Sequence, residues 1–99
     1  MASGSPRLFT LVWTESFART ARKFLRRHPD LVGVFEDVVR QLEIDPRAPR
    51  LRLHALRGKH AGTCAVSLTY EYRIVLILRI TAREIVLLDV GSHDEVYGG

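Results

Sequence analysis

Hydrophobic and polar positions alternate with two different periods along this chain, and the change between them divides it. Leu8 to Trp13 is short, apolar and β-prone, which predicts a first strand. Thr14 can cap a helix, with Glu15 placed against the positive helix N-terminus. In that helix Phe17, Ala21, Phe24 and Leu25 recur on one face, and Arg19, Arg22, Lys23, Arg26 and Arg27 occupy the remainder. His28-Pro29 ends it, because the residue before a proline is pushed out of the α region. Asp30 is the expected N-cap of a second helix, whose buried face is Leu31, Phe35, Val38 and Leu42 and which Asp45-Pro46 closes. So short a link predicts an antiparallel helical hairpin.

Beyond Pro49 the period becomes two. Leu51 and Leu53 alternate with Arg50, Arg52 and His54, the pattern of a half-buried strand. Gly58 and Gly62 bracket a loop. Thr63 to Tyr70 reads as another strand, with Cys64, Val66, Leu68 and Tyr70 on one face. Tyr72 to Ile80 is apolar on both faces for much of its length, which predicts a central strand, and Thr81-Ala82-Arg83 turns it into a last apolar strand, Glu84 to Val90. The order β-α-α-β-β-β-β, helices first and strands later, predicts an α+β fold: a helical hairpin packed on an antiparallel sheet.

Ninety-nine residues support one hydrophobic core. Residues 1–6 read as a flexible leader and 7–99 as a single domain. Fifteen Lys and Arg against eleven Asp and Glu give a net charge of +4, and only Lys23 and Lys59 are lysines. A basic, arginine-rich domain suits a polyanion, nucleic acid before a membrane surface. Cys64 is the single cysteine, so no internal disulfide can form and a reducing, cytoplasmic setting is expected. No apolar run reaches the roughly 20 residues of a membrane span.

The sequence holds no glycine-rich phosphate loop, no nucleophile elbow and no Cys-x-x-Cys. Its four histidines lack the spacing of a zinc pair, so neither a metal nor another cofactor is expected. What remains is a basic, histidine-bearing set. His54 shares its strand face with Arg50 and Arg52. Lys59 and His60 lie in the glycine-bracketed loop. Arg73 and Arg79 share a face of the central strand, and His93 and Tyr97 follow the last strand. His28 reads as a helix-end residue. A sheet can gather such groups around one groove. Imidazoles can move protons to and from an attacking 2′-hydroxyl and a departing 5′-oxygen, guanidinium groups can stabilise the phosphorane, and an aromatic can stack on a base. That chemistry suits RNA cleavage without a metal.

Three segments carry a resemblance to a known family. Leu11-Val12-Trp13-Thr14 through Leu42 is similar to the β-α-α start of the RelE/ParE superfamily of bacterial toxins. Leu53-His54-Ala55-Leu56-Arg57-Gly58, followed by Tyr72-Arg73-Ile74-Val75, resembles the family's "(H)xLxG" stretch and its hairpin. Val90 to Tyr97 resembles the "xGxHxxx(F/Y)" ending of its YafQ-like members. The resemblance implies the toxin of a type II toxin–antitoxin pair: an mRNA interferase, a ribosome-dependent endoribonuclease that needs no metal, with a cognate antitoxin, the ribosome and mRNA as partners. By position it implies acid/base work for His93, a role at the scissile nucleotide for Tyr97, a catalytic role for His54, and phosphate stabilisation by Arg73. Lys59, His60, Glu71, Tyr72 and Arg79 are supporting candidates. The arginines and lysine of the first helix, with Arg50 and Arg52, would face RNA or the ribosome. YafQ-like members carry a second histidine in the middle strand, where this chain has Ser67, and their acid–aromatic pair is replaced by Glu71-Tyr72, which leaves the division between acid and base open. The same fold also serves ParE-like toxins that poison gyrase, and it could serve a non-catalytic RNA-binding relative.

Overall fold

The computed structural model describes residues 9–97; the expected leader, 1–6, and the start of the first strand at Leu8 lie outside them. The elements are β1 (Thr10–Trp13), α1 (Glu15–Arg27), α2 (Val32–Ile44), β2 (His54–Ala55), β3 (Cys64–Ser67), β4 (Tyr72–Arg79), β5 (Glu84–Ser92) and α3 (His93–Tyr97), with short 3-10 turns at Pro29–Leu31, Pro49–Leu51 and Gly58–His60. The α+β class and the helices-then-strands order agree with the sequence. No helix among the described residues is long and apolar enough to cross a membrane.

Local rules account for α1. Thr14 Oγ1 accepts the Phe17 N–H at 3.1 Å and donates to the Leu87 carbonyl at 2.9 Å, so one hydroxyl both caps the helix and fastens it to β5. Phe17, Ala21 and Phe24 are buried, and α2 buries Phe35, Val38 and Leu42. These side chains meet Ile74, Leu76, Ile85, Leu87 and Val90 in one core on a single face of the sheet.

The sheet order is β1-β5-β4-β3-β2. Its last four strands form the expected antiparallel meander, but β1 runs parallel to β5, with Thr10 opposite Glu84. Between β4 and β5 the register shifts: Val75 pairs with Asp89 and Leu76 with Leu87, so Leu88 is an extra residue on β5. Such a bulge increases twist and re-aims the strand beyond it, here the end that leads into α3.

Three local expectations are corrected. Asp30 does not cap α2; it lies in the 3-10 turn that Pro29 opens, and α2 starts at Val32 with no side-chain cap. Arg50 to His54 is not an alternating strand. Pro49–Leu51 is a 3-10 turn that buries Leu51, Arg52 is left-handed (φ 52°), and only His54–Ala55 pairs. His54 therefore shares no strand face with Arg50 and Arg52. The strand after the glycine loop also ends early, at Ser67, and Tyr70 projects from the turn with 93% of its surface exposed instead of sharing the buried face of Val66 and Leu68.

Candidate active site at the end of the sheet

The site begins with the cap of α3. Glu95 Oε1 accepts the Ser92 backbone N–H at 2.8 Å, and Ser92 Oγ accepts the Glu95 N–H at 3.2 Å. This reciprocal Ser-x-x-Glu box satisfies two helix-terminal donors and fixes His93 as the first helical residue after β5. Hydrogen bonds donated to it by Ser92, the backbone N–H first and the side chain second, hold the Glu95 carboxyl below its ordinary value of 4.5, against slight desolvation and with smaller help from the charges of Arg27 and His28. Gly91 lets the helix lie close, since a Cβ there would sit 3.2 Å from Glu95 Cβ and 2.9 Å from its Oε1. Asp89, two residues before Gly91 on β5, has its carboxyl raised by burial first, opposed by the Val90 N–H and aided by the charge of Glu95.

Removing the cap should loosen this end. Ser92→Ala is expected to cost about 1 kcal/mol, read as a lower Tm, because one helix-terminal donor loses its partner. The Glu95 bond contributes above the ordinary carboxylate pKa and is lost as pH falls through the depressed folded one. The difference in stability between wild type and Glu95→Ala, which removes the acceptor, should therefore narrow on acidification. A gap that stays constant down to strongly acid pH would refute this account of the cap.

His93 is exposed and turns its ring onto Tyr97, centroids 4.3 Å apart and planes at 89°. Its Nδ1 lies 3.7 Å from Asp94 Oδ1, a contact open to solvent and of little energetic weight. Tyr97 faces inward: its hydroxyl is buried and has no hydrogen-bond partner among the described residues. The tyrosine therefore offers its ring to His93 rather than its hydroxyl to the groove. Tyr97→Phe is accordingly expected to leave Tm unchanged or higher. A clear fall in Tm on removing that oxygen would show instead that the hydroxyl is satisfied in the folded protein.

Opposite His93 stands the turn from β3 to β4. Thr69 Oγ1 accepts the N–H groups of Glu71 and Tyr72, and Arg73 Nη1 donates to the carbonyls of Thr69, Tyr70 and Tyr72 at 3.0, 2.9 and 3.2 Å. Arg73 thus staples the turn with one end of its guanidinium. Tyr70, Glu71, Tyr72, Arg73, Ser92, His93 and Asp94 line one open groove of about 380 Å³.

Of the residues singled out in the sequence, this groove gathers His93, Arg73, Glu71 and Tyr72. Tyr72 is half-buried, with its ring packed against those of Phe24 and His28 (centroids 5.0 and 4.8 Å), which also touch each other. His60 lies behind the groove, donating from Nε2 to the Tyr97 carbonyl at 3.1 Å, while Lys59 is exposed beside it. His54 is not brought in. It sits on the edge strand β2 with β3 between it and β4, about 10 Å away at ordinary strand spacing, and its Nδ1 donates to the Arg52 carbonyl at 2.9 Å. Arg79 is at the far end of β4, opposite Glu84 and about 20 Å from Arg73 along the strand. Arg19, Arg22, Lys23, Arg26 and Arg27 are all exposed on α1. Sequence reasoning missed three features: the Ser92–Glu95 box, legible as Ser-x-x-Glu; the nearness of His28 to Tyr72, which nothing local announces; and the outward Tyr70.

No family model and no curated protein matches the sequence. Solved structures are. The YoeB/ParE toxin from Agrobacterium tumefaciens superposes with a TM-score of 0.71 at 24% identity over 86% of this chain and 99% of that one. The DinJ–YafQ complex from Escherichia coli gives 0.71 at 15% identity over 91% and 99%. A RelBE toxin–antitoxin complex from Mycobacterium tuberculosis gives 0.66 at 25% identity over 86% and 98%. The chain has the RelE/ParE toxin fold. Coverage of 98–99% of those chains means that their architecture is matched nearly throughout. The RelE/ParE scaffold thus presents its sheet end, in this chain, as a groove with an imidazole on one wall and a guanidinium on the other.

Proposed function

We propose that this protein is the toxin of a type II toxin–antitoxin pair and that it cuts mRNA on the ribosome. The observation that carries the reading is the groove in which His93 faces Glu71 and Arg73 across the end of the sheet. Glu71 accepts the proton of a ribose 2′-hydroxyl as its oxygen attacks the adjacent phosphorus. The bond from phosphorus to the 5′-oxygen breaks, and His93 protonates that oxygen. The products are a 2′,3′-cyclic phosphate and a free 5′-hydroxyl, and solvent returns both side chains to their starting states. The free edge of the Arg73 guanidinium stabilises the charge on the non-bridging oxygens. Every proton in this sequence is carried by a protein side chain, so no metal is required. Tyr97 packs against the His93 ring, and His60 ties the loop before β3 to the end of α3. The exposed basic face of α1 suits rRNA, and neutralisation in the resting cell calls for an antitoxin of acidic or amphipathic character.

Cleavage mapping in a bacterial translation extract tests the proposal. Breaks in mRNA bearing 2′,3′-cyclic phosphates are expected only when ribosomes are present. Intact mRNA together with arrested gyrase supercoiling would replace this reading with a gyrase-directed one.

A further inference from the structure

A second groove, larger than the one that holds His93, is open on the described structure. It measures about 460 Å³, within the range of small-ligand sites, and lies between α2 and the turn from β3 to β4. Arg50, Arg52 and Arg73 line it against a single acid, Asp37, whose Oδ1 is already 3.4 Å from Arg40. Tyr70 and Arg73 line both grooves, so the two adjoin at these residues.

Two details make this second groove more than a basic surface. Arg52 holds a left-handed backbone (φ 52°, ψ 46°) that costs a non-glycine residue energy and is kept only where the surroundings impose it. Tyr70 sits at the tip of the turn that Arg73 and Thr69 fasten, so its exposed ring is presented from rigid backbone at the junction of the two grooves. Burial of Leu51 accounts for the turn that ends at Arg52, but no apolar contact accounts for the exposed side chains of Arg50, Arg52 and Tyr70. A chain carrying one phosphate per residue and flat bases between them needs both, cations at intervals and an aromatic platform.

We propose that this second groove binds the nucleotide of single-stranded RNA next to the one being cut, with its phosphate on Arg50 and Arg52 and its base stacked on Tyr70. The proposal rests on the reading of the His93 groove as an RNA-cutting site and gives that site its substrate track.

The test is fluorescence anisotropy of a labelled, uncleavable 2′-O-methyl RNA hexamer with the whole chain. The variants are Arg50→Gln/Arg52→Asn, asparagine being tolerant of left-handed backbone, together with Tyr70→Ala and Tyr70→Phe. The double variant should weaken binding at least about tenfold and flatten the dependence of log K on log salt by about 1.4, the loss of two phosphate contacts to a single strand. Tyr70→Ala should weaken it about 5- to 100-fold, and Tyr70→Phe should restore it because the ring is what stacks. Affinity unchanged in the double variant and in Tyr70→Ala overturns the proposal, as does failure of the wild type to bind the hexamer. Cleavage of mRNA by the wild type, measured separately, decides the nuclease reading. Weakened binding without any cleavage would keep this groove as an RNA site and remove the catalytic role of its neighbour.

Discussion

His93→Ala is expected to lower the rate of mRNA cleavage by at least about a hundredfold, within the roughly 10²–10⁴-fold range of a positioned acid or base. The fold should survive the change. The His93 side chain is 68% exposed and makes only the distant Asp94 contact and an edge contact with Tyr97, so Tm should move little. Cleavage rates in a translation extract, read beside thermal melts of both proteins, separate chemistry from folding. Because protonation of the leaving oxygen is the step assigned to the imidazole, the loss should be smaller on a substrate whose leaving group needs no proton. A folded His93→Ala protein that cuts at the wild-type rate would remove the residue from the mechanism.

Arg73→Ala should be the second most damaging change, with cleavage falling about 10²–10³-fold, the usual consequence of losing one donor aimed at developing negative charge. Unlike His93, this residue also has structural work, since its Nη1 satisfies three carbonyls of the turn that carries Tyr70 and Glu71. Tm should therefore fall as well. Arg73→Lys separates the two roles. An ammonium can reach the turn carbonyls, but it lacks the planar fork that lets one guanidinium hold carbonyls on one edge and phosphate oxygens on the other. Lysine should recover much of Tm and little of the activity. Full recovery of both would reduce Arg73 to a point charge, and loss of Tm with unaltered turnover would leave it only the turn.

Much of the scaffold was legible residue by residue. The stripe Phe17, Ala21, Phe24 and the cap at Thr14 are local facts, since a helix is built from neighbours three and four apart. The apolar run from Tyr72 became β4 and remained near the centre of the sheet. Legibility failed where one pattern fits two backbones. Leu51 and Leu53 are two apart, which reads as strand alternation, yet Pro49 and a left-handed Arg52 make a 3-10 turn that buries Leu51. Tyr70 likewise continues an alternation that the turn at Thr69 has already ended.

The candidate site divides in the same way. His93 and Tyr97 could be singled out from the chain, and their contact follows from spacing of four on a short helix. Nothing in the sequence could show that Arg79 lies far from the groove while Arg73 lies in it, because both face the same way on one strand. Nor could it show that His54 remains on an edge strand.

By itself the sequence determined the two helices, the apolar strands, the basic surface and the residue types able to move protons and hold phosphates. These depend on local periodicity and composition. Only the tertiary structure decided that β1 runs parallel to β5, that the Tyr97 hydroxyl turns inward, and that Glu71 and Arg73 meet His93 while His54 and Arg79 do not. Those outcomes depend on pairings between segments distant along the chain. Strand register and one bulge set them, and neither leaves a local mark in the sequence.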